Sequence, residues 1–462
     1  MFFNSTCFIS LFVTRKLLEV MQNMISFFQV TLNERRQRTF LWSYCNLICV
    51  DLRFGKEVNL MGIKWVFRML ACLPLLLAST AWSAEIHGRS STQFLWYNDI
   101  VTDDEQAEIA QYLNLSVTKI DKDNKLSITG YGRLSQVIKG DEELNGRLYF
   151  LYLDYRDLYD KIDLRLGRQF VNYAAGSAIV DGGLVELKNI GPVAFSVMGG
   201  RNVFFNLDSE GTSSEDFVFG AAAYLRGLKG TDAEISYFVK WDDDGVARDQ
   251  LGASFKQYLL NSVKVYANAR FDLASEAFSE VLVGAKYYPS SSLVFTGEWY
   301  YSYPTFDNTS IYAVFAVDRF EEALFRADYT LSDKFSVNAG YNRQMYEHGD
   351  ADVFELGCRI RPLERLQLSL NYDYRNGEGG DLNGGMVDVA YEVSKKLELA
   401  GGIHYDVYER DRTTGEETAR KYWAGGNYKI NKDMSVYVRI EDNVNDTYEN
   451  DWQGRLAVNY NF

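Results

Sequence analysis

Apolar and polar side chains alternate with period two along most of this chain, and that pattern restricts the fold more than any other feature. It runs through KLSITGYGRLSQ (125–136), AEISYFVKW (233–241), SVKVYANARFD (262–272), SLVFTGEWYYSY (292–303), RLQLSLNYDYR (365–375), MVDVAYEV (386–393) and MSVYVRIED (434–442). In 365–375, Leu366, Leu368, Leu370, Tyr372 and Tyr374 fall on one face, and Gln367, Ser369, Asn371, Asp373 and Arg375 on the other. Successive strand side chains point to opposite faces, so each segment is a strand with one apolar side. With 5 Pro among 462 residues and no body segment of about 18 apolar residues, a helical transmembrane bundle is excluded. The expected class is all-β.

Export is indicated at the amino end. Residues 61–83 carry Lys64 and Arg68, an apolar stretch from Met69 to Ala78, and Ala81-Trp82-Ser83 before Ala84. That order of basic, apolar and small residues is the layout of a secretory signal, with the mature chain starting at Ala84. The apolar stretch continues past Cys72, which argues against a lipid anchor there. Residues 1–60 precede such a signal and are expected to be a mis-called upstream extension or a segment removed on export. Four of the five cysteines lie before residue 84, so Cys358 is single in the mature chain and no disulfide framework forms within it. Nine of the 48 Lys+Arg and four of the 63 Asp+Glu also lie there, which leaves residues 84–462 at a net charge of −20 and makes nucleic acid an unsuitable partner.

The connections set the topology. Very short ones are expected near 121–124, 158–160, 189–191, 228–230, 259–261, 289–291, 332–333, 362–364, 394–395 and 431–432. Longer polar ones such as FFNLDSEGTSSED (204–216), ERDRTTGEE (409–417) and NVNDTYEN (443–450) alternate with them. Alternation alone also fits a soluble sandwich or solenoid. The strand number, the export signal and apolar faces ending in Trp299, Tyr301 and Tyr303 favour a membrane barrel with aromatic girdles. Residues 84–462 are therefore expected to form an up-and-down antiparallel transmembrane β-barrel of about 22 strands, within a range of about 18 to 22, without a plug domain. The segment 304–331 reads as one strand after a long loop or as two strands, and the even strand number favours one.

The chain ends on LAVNYNF, with Leu456, Val458, Tyr460 and Phe462 on one face. Arg455, Ala457, Tyr460 and Phe462 resemble the carboxy-terminal assembly signal of bacterial outer-membrane β-barrel proteins, with Ala457 where Gly is usual. Residues 84–462 as a whole resemble an outer-membrane porin. Within them DLRLGRQFVNYAAGSAIVDGGLVEL (163–187) resembles a hairpin of alginate-export-type porins, carried by Arg165, Gly167, Arg168, Gln169 and Asp181. Arg168 breaks the alternation, either beyond the lipid band or after a bulge at Gly167. The resemblance implies the outer membrane of a Gram-negative bacterium, the barrel-assembly machinery as a partner reading Tyr460 and Phe462, and small solutes as cargo, with a homo-oligomer possible.

The faces opposite the apolar ones carry both charges. Asp163, Arg165, Lys240, Lys264, Arg270, Lys286, Glu298, Arg359, Arg361, Asp373, Arg375, Asp388, Glu392, Arg439 and Glu441 are the candidate lumen-lining residues. Such a wall needs water or mutual pairing. A paired wall charge without a role in selectivity is the plainer reading of any one of them. Of the three histidines, His87, His348 and His404, only His348 in EHGDAD, with Asp350 and Asp352, faintly resembles the rim histidine and carboxylate arrangement of barrel proteases, and a solvated turn accounts for it better. No enzyme, cofactor or metal is expected. The expected function is passive diffusion of ions and small hydrophilic solutes, with the leftover residues spread over 21 connections so that none blocks the lumen, although 204–216 or 304–318 could narrow it. The alternatives are a scaffold holding a partner protein, such as an electron carrier, in the lumen, and a substrate-specific polysaccharide or organic-solute channel.

Overall fold

The computed structural model describes residues 84–98, 104–139, 144–205, 210–211, 216–305, 318–409, 415–446 and 449–462. The expected extension (1–60), secretory signal (61–83) and its cleavage site lie outside these residues. The strands are β1 (Glu85–Asn98), β2 (Glu105–Thr118), β3 (Leu126–Lys139), β4 (Leu144–Leu158), β5 (Ile162–Tyr173), β6 (Gly176–Ile190), β7 (Val193–Phe205) and the two-residue β8 (Glu210–Gly211). They continue as β9 (Phe217–Leu228), β10 (Thr231–Asp242), β11 (Gly245–Leu259), β12 (Val263–Asp272), β13 (Ala277–Ser290), β14 (Leu293–Ser302), β15 (Phe320–Ser332) and β16 (Phe335–Tyr346). The last are β17 (Asp350–Leu363), β18 (Leu366–Gly377), β19 (Asp381–Ser394), β20 (Leu397–Glu409), β21 (Glu417–Lys429), β22 (Met434–Val444) and β23 (Asp451–Asn461).

Each strand pairs antiparallel with the next, except that β8 sits inside the β7–β9 connection and pairs with β7 alone. The remaining 22 strands form one closed barrel. Closure is made by β1 and β23, in register from Arg89↔Asn461 to Trp96↔Gly454. Gly88 N donates to Phe462 O at 2.9 Å and Phe462 N to Gly88 O at 3.0 Å, so the chain end is part of the ladder. The short connections fall where the sequence places them, and Asn124, Asp160, Asn189 and Asn261 adopt positive φ of 54°, 59°, 60° and 59° in four of them. Asn and Asp tolerate this conformation better than other side chains, which allows the tight reversals. Within the described residues of 304–331 there is one strand, β15.

The register joins the apolar faces into a belt. Val337, Cys358, Leu370, Val387, Ile403 and Tyr422 are successive partners across β16 to β21. Leu370, Val387, Ile403 and Tyr422 are exposed, which is the outward apolar surface a lipid-facing wall requires. Cys358 lies on this face with Phe354, Leu356 and Ile360, so an impermeant thiol reagent should leave it unmodified in intact membranes; rapid modification would contradict the register. Leu370→Arg should cost about 2–4 kcal/mol in lipid if the site is near the midplane, whereas Asn371→Arg, on the opposite face, should cost little. Unfolding in lipid vesicles measures both, and equal costs would contradict the assigned faces.

Candidate functional site

One part of the wall does not stay in the wall. The β4–β5 pairing stops at Leu151↔Arg168, and the β6–β7 pairing starts at Ile179↔Val203, so residues 169–178 pair only within their own hairpin. Above the point of departure β4 and β7 approach each other, with the Tyr149 and Phe205 rings 5.8 Å apart and the Arg147 guanidinium 5.2 Å from the Phe205 ring. The hairpin tip reaches β10, β11 and β12 instead. Ala174 N donates to Glu234 Oε1 at 2.6 Å, Ala175 N to Ser236 Oγ at 2.9 Å, and Arg270 Nε to Ala174 O at 3.3 Å.

These contacts fix which face is inside. Glu234, Ser236 and Arg270 belong to the polar set, whereas Ile235, Leu251 and Phe255 on the other face are uncovered, Ile235 at 69% exposure. A hairpin that touches the polar face of three strands beyond its neighbours lies in the lumen.

The hairpin is held by an apolar core inside the barrel. Val171, Tyr173 and Ala175 pack with Val180, Met198, Val218, Ala222 and Phe238, all buried. Tyr173 Oη and Ser196 Oγ hydrogen-bond at 2.7 Å. At Gly252 a Cβ would collide with the Ala174–Ala175 backbone, so the glycine admits the tip.

The fold line is also glycine. Gly167, Gly182 and Gly200 are in register across β5, β6 and β7. A Cβ at Gly182 would stand 2.6 Å from Gly200 Cα, and one at Gly200 2.6 Å from Gly182 Cα. Only glycine allows backbones so close, and Gly167 has φ +123°. The β4–β5 register is unbroken at Gly167, so a turn of the backbone and not a bulge displaces Arg168. Arg168 forms a two-pronged pair with Asp181, at 2.7 and 2.8 Å, and donates to Leu148 O at 3.0 Å. The expectation that 204–216 or 304–318 would narrow the lumen falls largely outside the described residues. The segment that does narrow it is one the sequence places in the wall.

The sequence-derived charges gather in several groups on the polar face. Asp163 accepts from Asp157 N at 2.8 Å and pairs with Lys188 at 2.8 Å; Arg165 lies 3.4 Å from Asp154 and 4.4 Å from the Tyr152 ring. Arg270 pairs with Glu280 at 3.2 Å beside the hairpin tip. Lys240 is on the same face as Glu234, opposite Val218 and Arg248. Lys264 faces Lys286 across the ladder and lies 5.3 Å from the Tyr266 ring, whose hydroxyl donates to Glu298. Arg359 lies opposite Ser369, and Asp373 opposite Glu355 and Gly384. Asp388 accepts from Trp423 Nε1 at 2.9 Å with His404 Nε2 at 3.4 Å; Arg439 stacks 4.2 Å over Trp423 and pairs with Glu441 at 3.0 Å.

Three of the candidates sit near the rims. Arg361 donates to Gln367 at 3.0 and 3.2 Å close to a short turn, and Glu392 faces Glu398 near another. Arg375 donates to Gly380 O at 2.6 Å beside a longer connection. At the seam, Tyr460 and Phe462 stack at 5.7 Å. Sequence reasoning missed Tyr173, Ala174, Ala175, Met198 and Phe238. A signal was present, since the inner positions Val180, Gly182, Leu184, Met198, Gly200, Val218, Gly220 and Ala222 lack the polar half of the alternation.

Closure by antiparallel strands with an uncovered apolar exterior decides the class. The chain is a transmembrane β-barrel of the outer-membrane type. The barrel matches a point mutant of the ferric enterobactin receptor PfeA from Pseudomonas aeruginosa with a TM-score of 0.58 at 10% identity, over 83% of this chain and 81% of that one. It matches the siderophore receptor PirA from the same organism at 0.52 and 12% identity, over 81% and 80%. A BenF-like porin from Pseudomonas fluorescens Pf-5 aligns at 0.42 and 8% identity, over 83% and 99%. At these identities the first two likenesses establish the fold alone, and the third carries no argument. No protein-family model matches the barrel, and no curated protein matches it. The resemblance of residues 163–187 to alginate-export-type porins gains no support from these comparisons.

If the inner core seats the hairpin, Phe238→Ala should loosen it by about 3–5 kcal/mol, the usual cost of such a truncation. Current recorded across bilayers should become larger or noisier, while Phe255→Ala on the outward face of β11 should leave it unchanged. Identical recordings for both variants would contradict the seat.

Proposed function

We propose that the barrel is a passive outer-membrane channel for ions and small hydrophilic solutes, narrowed by the inward hairpin. The observation that carries this reading is the inner face, where charges of both signs and polar side chains ring a space that residues 169–178 enter from one side. Charges on such a face are stable when water fills the lumen. In this reading the fifteen candidates named from the sequence line the water path. Tyr460 and Phe462 serve assembly through the membrane machinery that closes barrels. A scaffold for a partner protein is less well supported, because the hairpin occupies space along β7 and β9 to β12 that a protein cargo would need.

The net charge of −20 on residues 84–462 should enrich cations at the mouth, and the mixed inner wall should keep the preference weak. Reversal potentials across salt gradients should show a modest cation preference that fades as added salt shortens the Debye length. An absence of current would contradict the channel reading, and strong anion selectivity would show that the inner arginines and lysines outweigh the outer acids.

A further inference from the structure

The inner wall at the closing seam carries a second arrangement, separate from the hairpin seat. Tyr112 of β2 and Tyr131 of β3 lie nearly parallel, at 6.3 Å and 21° between planes, and Tyr131 stacks on Tyr149 of β4 at 4.8 Å and 21°. Tyr112 and Tyr131 border a cavity of about 520 Å³ that Arg89 of β1 and Arg455 of β23 also line. That volume falls within the range of about 300–1,000 Å³ usual for small-molecule sites.

The charge there is not neutralised. At its border Arg133, 5.7 Å over the Tyr112 ring, pairs with Glu108, and Arg439, opposite Arg455, pairs with Glu441; further round the inner face Arg156 pairs with Asp154 and Arg270 with Glu280. Arg89 donates to the neutral Asn459 Oδ1 at 2.8 Å, and among the described residues neither Arg89 nor Arg455 has a carboxylate partner. The neighbouring Glu108 and Glu441 are each engaged by another arginine, so two guanidinium groups without an ion pair of their own, beside two parallel phenol rings, form a surface suited to an anion and a flat apolar ring.

We propose that this cavity binds aromatic carboxylates on their way through the lumen. The ring of the solute lies along Tyr112 and Tyr131, and its carboxylate accepts hydrogen bonds from Arg455 and Arg89. Ring stacking and charge-assisted hydrogen bonding each favour the solute that offers both. Inorganic anions leave the rings uncovered, and neutral aromatics leave the arginines unpaired. The inference rests on the channel reading above, since the site needs access from the lumen.

The test is a titration of the barrel, purified from outer membranes, with sodium benzoate, sodium acetate and benzyl alcohol. Two readouts are taken: ionic current in planar bilayers and calorimetry in detergent. Benzoate should reduce the current saturably and bind by calorimetry at least about tenfold more tightly than acetate or benzyl alcohol. Arg455→Gln and Tyr131→Leu should each weaken benzoate about tenfold, the change expected for roughly 1.4 kcal/mol lost. Heat-modifiable mobility on gels checks that each variant is a closed barrel. Acetate binding as tightly as benzoate, or benzoate affinity unchanged in both variants, would overturn the site. Calorimetric binding of benzoate without any current would uphold the site and remove the channel reading, so the two failures are distinguishable.

Discussion

Lipid offers no hydrogen bonds to a peptide group, so every strand edge within the bilayer must find another strand. In this protein that requirement is met at a single seam, where β23 returns to β1 and the terminal Phe462 exchanges two backbone hydrogen bonds with Gly88. The seam also fixes orientation. With Ser90, Thr92 and Phe94 opposite Tyr460, Val458 and Leu456, the apolar residues of β23 face outward and Ser91 and Gln93 face inward. Because a slip of one residue would exchange the two faces, the closing register governs which side chains meet water throughout the barrel.

A closed wall still leaves one freedom, which is how sharply it bends. The glycine row Gly167, Gly182 and Gly200 concentrates the bend on one line, and beyond it residues 169–178 turn into the lumen. The inner faces of β6, β7 and β9 are consequently covered where the hairpin lies on them. Val180, Met198, Val218 and Ala222 form a small interior core with Tyr173 and Phe238, of the kind expected between packed layers and not along a water channel. The barrel therefore has two inner surfaces of different character. One is apolar and covered by the hairpin. The other is polar, charged and lined in part by tyrosines and arginines.

Most of the barrel was legible in the sequence because period-two alternation and short turns are local signals. The ten short connections and the strand number follow from them, as does the outward position of Cys358. The charges on the alternating segments fall on the polar face for the same reason. The hairpin was not legible from that rule, because alternation reports two different surroundings, and around 180–184, 198–200 and 218–222 both sides are apolar or glycine apart from Asp181. That loss of contrast around VMGGRN and FGAAAY is itself the mark of a second covering layer, but only if an inward segment is sought to supply it. The aromatic cavity was hidden for another reason. Arg89, Tyr112 and Tyr131 come together across β1 to β3, but Arg455 joins them only because β23 closes on β1.

The central claim is that a closed barrel carries residues 172–177 inside its lumen, against β10. Ala175→Cys with Ser236→Cys, in a Cys358→Ser background, tests it directly, because Ala175 N and Ser236 Oγ are 2.9 Å apart. Oxidation in native outer membranes should join the two cysteines within one chain, read as a cross-linked peptide by mass spectrometry. The account predicts efficient cross-linking, with little for Ala175→Cys paired with Ile235→Cys on the outward face. Efficient cross-linking to position 235, or none to position 236 in a closed barrel, would contradict it.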